Sequence, residues 1–500
     1  MGSRPTARGS PRNFDPKGGP SVRLGGGSPR DHAHEPWVEE DEMPVELPIE
    51  FVVDLDSDSE SPEPPVLFVV VKFEPTILAA YEDHAEERFG NEMAAAWQAI
   101  AHEFTGITLL RLFRTLTPLD LSTHVHRAVE NDPQSPARSL VQYYSVDVPP
   151  ERSPETLMHR LRSLPGVELA YVSGQPSEPP CPAPTDADEP YRVSQSYLNA
   201  GPDGVGANAA WRLSGGDGDG IQVIDIEQGW TLNHEDLRAL AIERNGQNRA
   251  YHGHGTAVLG VLTAADNGIG CIGLATAAKH RVVSEWRTAQ KRSTADAVNA
   301  ASAVLAAGDV MLIEAQLPSY LPVEAEPATF VAIRAAADAG IVVVEAAGNG
   351  QKSLDNVVDA GGQQIFLRAV RDSGAILIGA GTSGLPHARW GLSNYGSRVD
   401  CYAWGENVST TGDGAQGRGT RDYTRYFHGT SSAAAIIAGV AAMVQGMAAA
   451  SAAGRFTRAG LVRALTRNDM STLSANPAAD LIGVMPDLGK LTRSLNVLPR

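Results

Sequence analysis

The sequence predicts an α/β protein, a parallel sheet with helices on both faces, preceded by a smaller α+β unit. Three observations carry this. Between residues 201 and 500, short apolar runs alternate with Ala-rich helical stretches, the pattern of strands buried on both faces by crossover helices. Residues 66–175 hold strand-like and helical segments in a different order. Residues 1–65 and 176–200 are rich in Gly, Pro, Ser and acids, a composition that packs poorly. With 500 residues, 42% hydrophobic and 20% charged, the chain can bury more than one core.

Residues 1–65 read as a disordered tail. Gly and Pro dominate its first half, and nine acids fall in residues 41–65 with no Lys or Arg. Phe51–Val53 is a hydrophobic island within it. Order begins at Val66, where Val66–Phe73 is short and rich in β-formers. Ile77–Phe104 lacks proline and is rich in Ala and Glu, so it reads as helix. Ile107–Phe113 reads as strand, followed by a loop-rich insertion and then Ser139–Val148. Ser153–Leu164 has a clear helix start: Ser153 as N-cap, Pro154 first inside, Glu155 in the first turn. Its Leu157, Leu161 and Leu164 share one face, and Pro165-Gly166 stops it. With Gly166–Val172 the order becomes β-α-β-β-α-β, that of a ferredoxin-like unit over residues 66–175.

Residues 176–200 form a linker, with Gln175–Pro190 rich in Pro, Ser and acids. In residues 201–500, Gln222–Ile226, Val310–Ala315, Ile341–Ala346 and Ala375–Gly379 are expected as buried strands. Ala295–Ala306 and Pro327–Ala339 are expected as helices between them. In such sheets the reacting groups collect at the carboxyl ends of strands.

Four segments lie at such positions. Gln222-Val-Ile-Asp225 ends a strand in a carboxylate, and His252-Gly-His254-Gly-Thr256 precedes the apolar run Ala257–Thr263. Ala346-Ala-Gly-Asn349 follows a strand, and His428-Gly-Thr-Ser431 opens the small-residue helix Ser432–Gln445. A serine is a weak nucleophile until a histidine takes its proton, and a carboxylate fixes the imidazole tautomer. Taken singly, a strand-end Asp suits a turn or cap, and Gly-Thr-Ser suits a helix start. The four motifs in this order point to acyl transfer.

At these residues the chain resembles the subtilisin-like serine peptidases, over roughly residues 195–450. The resemblance implies Asp225 as triad carboxylate, His254 as base, Ser431 as nucleophile and Asn349 as oxyanion donor. It implies substrate-binding positions at Glu314, Ala315, Gln316, Ala346 and Gly348. His234-Glu-Asp-Leu237, Asn267-Gly-Ile-Gly270 and Ser393-Asn-Tyr-Gly396 are further matches. No cofactor is required, though Asp236 and Asn267 match ligand positions of the family's structural calcium site. Tyr143–Val172 resembles the family's inhibitor propeptide. That resemblance implies an intramolecular inhibitor whose tail, around Ser173–Pro190, threads the cleft and is cut; the alternative is a permanently attached regulatory or dimerising module.

The sequence also departs from the family. Glu227 stands two residues after Asp225, where glycine is common, and Ala435 replaces a common proline four residues after Ser431. Glu314-Ala-Gln-Leu317 replaces a Ser-Leu-Gly-Gly stretch that lines the specificity pocket, and Glu345 replaces a small strand residue. Three unexpected carboxylates near one cleft raise one another's pKa unless paired. Glu314 is expected to favour basic or polar side chains at the cleaved position; the alternative is that the three acids hydrogen-bond backbone amides and set loop structure.

The leading expectation is a serine endopeptidase made as a zymogen, acting on protein or peptide substrates. A transamidase or macrocyclase on the same fold and a peptide-binding pseudo-protease are the alternatives. A net charge of −18 argues against nucleic acid as a partner. Three cysteines, Cys181, Cys271 and Cys401, build neither a disulfide framework nor a zinc site. Residues 1–20 lack the apolar core of a signal peptide, and runs such as Val66–Val71 are too short to span a bilayer. The expectation is a cytoplasmic protein with no membrane partner, with unconventional secretion left open.

Overall fold

The computed structural model describes residues 49–53, 64–179, 191–412 and 417–495. The N-terminal unit runs β1 (Phe68–Phe73), α1 (Asn91–Glu103), β2 (Leu110–Arg111), α2 (Pro118–Asn131), β3 (Tyr143–Asp147), α3 (Pro154–Arg162) and β4 (Val167–Ser173). Its strands lie in the order β2-β3-β1-β4, each pair antiparallel. That is the order of a ferredoxin-like unit with one additional helix. Ser153 caps α3 through the Thr156 N–H, as its sequence requires.

Two local expectations change. The helix expected from Ile77 starts only at Asn91, after a 3₁₀ turn at Ala85–Arg88. Tyr81 explains the delay: its hydroxyl donates to Tyr143 O and accepts from Phe113 N–H, both at 3.0 Å. That ties the segment across the strands instead of winding it. The expected loop-rich insertion contains α2, started by a reciprocal capping box between Thr117 and Asp120 with Pro118 first inside.

The second unit contains α4 (Ala207–Ala210), β5 (Gln222–Glu227), β6 (Glu243–Asn245), α5 (His252–Thr263), β7 (Lys279–Ser284), α6 (Thr294–Val304), β8 (Val310–Ile313) and α7 (Pro327–Asp338). There follow β9 (Val342–Ala346), β10 (Ile376–Gly381), β11 (Cys401–Trp404), β12 (Val408–Thr411), β13 (Tyr423–Phe427) and α8 (Thr430–Ala449). The last elements are α9 (Arg458–Leu465), β14 (Ser471–Leu473), α10 (Pro477–Asp480), β15 (Val484–Pro486) and α11 (Leu488–Ser494).

Nine strands form one sheet in the order β14-β15-β11-β10-β9-β8-β5-β7-β6, and every pair except β14–β15 is parallel. Separate apolar cores cover its two faces. Val223, Val344 and Ile378 pack with α5 and α8, whereas Ile224, Met311 and Val343 pack with α6 and α7. Although α8 is long and apolar enough to cross a bilayer, it is buried through nearly all of its length.

The N-terminal unit lies on α6 and α7. Arg127 donates to Ser302 O at 2.7 Å and Leu305 O at 3.2 Å, and Thr115 Oγ1 donates to Asp296 Oδ2 at 2.7 Å. Tyr171 OH accepts from the Ala328 N–H at 3.3 Å, and Lys291 pairs with Asp147. The two units share one continuous apolar core. The expected tail also changes near its end. Val52 pairs antiparallel with Arg244 on the sheet's edge strand, by backbone bonds of 2.9 and 2.8 Å. Phe51 lies under the Arg281 guanidinium, 5.0 Å from its ring centroid. The rest of that stretch, 1–48 and 54–63, falls outside the described residues.

Candidate active site

β5 delivers two carboxylates. Side chains alternate along a strand, so Val223, Asp225 and Glu227 share the face toward α5 and α8. The residue that meets the histidine is Glu227: its Oε1 lies 2.5 Å from His254 Nδ1, with both side chains almost wholly buried. Asp225, expected from the sequence as the triad carboxylate, does not make this contact. Its Oδ2 instead accepts from Trp230 Nε1 at 2.7 Å. Burial, and then the charge of Glu227, push the Asp225 carboxyl well above its ordinary range, against the lowering effect of Trp230.

The signal for Glu227 was present. The family's carboxylate is commonly followed two residues later by glycine, and Glu227-Gln-Gly229 has that spacing, displaced by two from Asp225. Gly229 admits no side chain, since a Cβ there would lie 2.7 Å from Ala250 O. Gln228 then faces the cleft, where its Nε2 donates to Ser177 O at 3.0 Å.

His254 sits in the first turn of α5, with its ring edge-on to Phe427 at 5.4 Å. Ser431 follows Thr430 at the start of α8, where the first backbone N–H groups lack intrahelical acceptors and the helix dipole is positive. Gly429, at φ 98°, makes the entry into that helix. His254 Nε2 is buried without a hydrogen-bond partner, so the serine–histidine link is not formed in this state.

Asn349 stands just beyond β9. Its Oδ1 accepts from the Thr430 N–H at 2.9 Å, which turns Nδ2 toward Gln316 Oε1, 3.2 Å away. Gln316 Oε1 also accepts the Asn349 backbone N–H at 3.0 Å. One Nδ2 hydrogen remains for a ligand. Gly348, at φ +87°, leaves no room for a side chain, because a Cβ would lie 2.4 Å from Tyr320 O. Asn394 braces the same turn: it donates to Ala347 O at 2.7 Å and accepts from the Gly350 and Lys352 N–H groups.

Glu314, Ala315 and Gln316 line one small cavity with Glu227, Asn349 and Ser431, so the first three expected substrate positions reach the site. Ala346 and Gly348 supply the turn behind Asn349 and do not line that cavity. Glu314 is 4% exposed, and neither carboxyl oxygen has a formed hydrogen bond. Burial, then the nearby charges of Asp225 and Glu227, push its carboxyl well above the ordinary range, and the Ser431 hydroxyl opposes them. Of the three acids expected as possible acceptors of backbone amides, Glu227 takes the Gln228 N–H at 3.1 Å and Glu345 the Glu324 N–H at 3.0 Å, whereas Glu314 takes none.

Glu345 is not a cleft residue. It alternates to the opposite face of β9, where Oε1 accepts from the Glu324 N–H at 3.0 Å. Glu324 pairs in turn with Arg398 at 3.1 Å, and Arg398 with Asp400 at 2.8 Å. The group forms a buried brace beneath the sheet.

The residues matching a calcium site do not fit that ion. Asp236 Oδ1 accepts from Asn267 Nδ2 at 2.9 Å, and Oδ2 accepts from the Cys271 N–H at 3.1 Å and Tyr423 OH at 3.0 Å. Asn267 Oδ1 is itself engaged by the Ile269 N–H. Protein donors thus take the lone pairs a cation would need, whereas calcium requires six to eight oxygen ligands. Among the described residues, no cluster of three His, Cys, Asp or Glu side chains could hold a metal.

The cleft contains a strap of the chain's own making. Arg292 donates to Gln175 O at 3.0 Å, Gln228 to Ser177 O at 3.0 Å, and Gln316 Nε2 to Glu178 O at 3.4 Å. Ser177 and Pro179 line the cavity that contains Ser431. The remainder of the expected cut segment, 180–190, lies outside the described residues.

A parallel sheet that gathers a serine, a histidine, a carboxylate and an asparagine at its strand and helix ends defines the serine-protease class of α/β proteins. The model of the Subtilase family matches residues 220–482, and the chain belongs to that family. A subtilisin-like protease of Coccidioides posadasii is 31% identical over 240 residues, which is 45% of this chain and 53% of that protein. The chain thus spans about half the length of this relative. Among solved structures, fervidolysin from Fervidobacterium pennivorans, a keratinolytic enzyme related to subtilisin, shares the fold. The TM-score is 0.53 and the identity 17%, over 87% of this chain and 61% of that one. A protease from Pseudoalteromonas arctica aligns at TM-score 0.45 and 22% identity, over 63% of this chain and 100% of that one.

Proposed function

We propose that this chain is a serine endopeptidase with Ser431 as nucleophile, His254 as base and Glu227 as the carboxylate that orients the base. The 2.5 Å approach of Glu227 Oε1 to His254 Nδ1 carries the reading, since a carboxylate there favours the tautomer that leaves Nε2 to take the serine proton. Ser431 Oγ attacks the substrate carbonyl carbon while its proton passes to His254 Nε2. The carbonyl electron pair moves onto oxygen, where the remaining Asn349 Nδ2 hydrogen and the Ser431 backbone N–H receive it. His254 then protonates the leaving amine, and water hydrolyses the acyl-enzyme by the same relay.

The N-terminal unit is proposed as an intramolecular inhibitor, which makes the chain a zymogen. Its tail lies in the cleft through Gln175, Ser177 and Glu178, each held by its backbone carbonyl, as a substrate strand would be. Backbone contacts of this kind hold a chain without reading its side chains, which suits a segment destined to be cut.

Labelling with a fluorophosphonate probe, beside Ser431→Ala, tests the reading, with mass spectrometry of the chain to locate self-cleavage. Ser431-dependent label and a cut between residues 165 and 200 are expected. A chain that is neither labelled nor cut, even once the N-terminal unit has been removed by added protease, would be a peptide-binding protein and not an enzyme.

A further inference from the structure

The family's chemistry leaves Glu314 unused, and its surroundings are unusual for a structural carboxyl. It directly follows β8, almost fully buried, with both oxygens lacking formed hydrogen bonds. Ser431 lines the same small cavity. The charged and titratable groups around it are Asp225 and Glu227 on β5, His254 on α5 behind Glu227, and Glu285 with Arg292 after β7. Arg292 pairs with Glu285 at 2.6 Å and donates to Gln175 O at 3.0 Å, and among the described residues no cation is bonded to Glu314. A buried carboxylate among other carboxylates keeps its proton instead. A neutral carboxyl, unlike a carboxylate, can donate a hydrogen bond.

We propose that Glu314 is a further catalytic residue, whose neutral carboxyl donates a hydrogen bond to Ser431 Oγ as charge moves through that atom. This rests on the assignment of Ser431 as nucleophile. In the acylation step the Oγ–H bond breaks, its proton goes to His254 Nε2, and the Oγ–carbon bond forms. Glu314 keeps its own proton throughout and steadies the oxygen. In deacylation the same donor steadies Oγ as its bond to carbon breaks and His254 returns the proton. Ionised Glu314 would do the reverse. It would accept the Ser431 hydroxyl, draw it away from His254, and set a negative charge beside the forming oxyanion. The site therefore works while Glu314 is protonated and fails as rising pH removes that proton.

The test compares the self-processed wild type with Glu314→Gln and Glu314→Ala, measuring kcat and KM on a peptide substrate from pH 4 to 9. Fluorophosphonate labelling rates are followed across the same range. The wild type should lose kcat on the alkaline side. Glu314→Gln, which still donates but cannot ionise, should keep its activity there. Glu314→Ala should lose on the order of 10²-fold in kcat at every pH with little change in KM, the usual cost of one lost donor. An alkaline limb unchanged in Glu314→Gln would overturn the proposal, as would an effect confined to KM for substrates with a basic side chain at the cleaved position. Label on Ser431 with no Glu314 effect removes only this inference, whereas absence of label at Ser431 in the wild type removes the peptidase reading and this inference together.

Discussion

Trp230 Nε1 donates to Asp225 Oδ2 at 2.7 Å, and that bond holds Asp225 away from the histidine it would otherwise serve. The two carboxylates of β5 therefore make separate contacts, one with Trp230 and one with His254. Glu227→Gln should lower kcat/KM by about 10³–10⁴, as loss of the orienting carboxylate does elsewhere. Asp225→Asn keeps an acceptor for Trp230 and should cost less than about tenfold, because only the oriented tautomer is catalytically critical. Steady-state kinetics on a fluorogenic peptide would decide, and a larger loss in Asp225→Asn would return the role to that residue.

Asn349 and Gln316 should separate in the same assay. Asn349→Ala removes a donor to the oxyanion and should lower kcat by about 10²–10³ with KM little changed. Gln316→Ala frees Asn349 to turn and opens the cavity, so a smaller kcat loss and an altered KM are expected. Equal losses in kcat alone would mean that Gln316 contacts the oxyanion itself.

Arg398 is 1% exposed and bonded to Glu324, Asp400, Ser373 and Ala375 O. Arg398→Met would leave Glu324 buried without its ion-pair partner, while Asp400 keeps Arg368, at a cost of about 3–5 kcal/mol in unfolding free energy. Urea titration followed by tryptophan fluorescence measures this. A midpoint equal to that of the wild type would show the brace to be dispensable.

The carboxyl of Glu345 is pushed up by burial first and then by Glu324. The native chain then keeps a proton that the unfolded chain releases above the ordinary glutamate value of about 4.3. Its contribution to stability is complete below that value and falls as pH rises toward the native pKa. Glu345→Gln has no proton to lose and can still accept the Glu324 N–H. Its Tm should equal or trail that of the wild type at pH 4 and exceed it at pH 8. Parallel Tm curves across that range would contradict the assignment.

The proposed catalytic segments were legible as candidates because each pairs a polar residue with a strong local signal: a strand end, a Gly-rich turn or a small-residue helix start. His254, Asn349 and Ser431 lie where those signals place them. The choice between Asp225 and Glu227 was not legible from periodicity, since residues two apart on a strand face the same way. Only the indole of Trp230 separates them, and it reaches back across a turn whose course local propensity does not set. Glu345 was misplaced because motif proximity says nothing of which face a strand residue takes. Helix α2 had its start written in Thr117-Pro118 and Asp120, and was masked by the polar residues of its exposed face.

The pairing of Val52 with Arg244 has a consequence for what a cut in the linker achieves. A break between residues 180 and 190 leaves the N-terminal fragment attached at three sites: its β-sheet unit on α6 and α7, its Gln175–Glu178 strap in the cleft, and its leading segment on the edge of the large sheet. Tethered contacts dissociate far more slowly than any one alone, because a released one rebinds at high effective concentration. Scission and liberation then become separate events with separate rate constants. If the N-terminal unit is the proposed inhibitor, a nicked chain stays inhibited, and a second cut, in residues 54–63, would detach the leading segment from the rest of the hold.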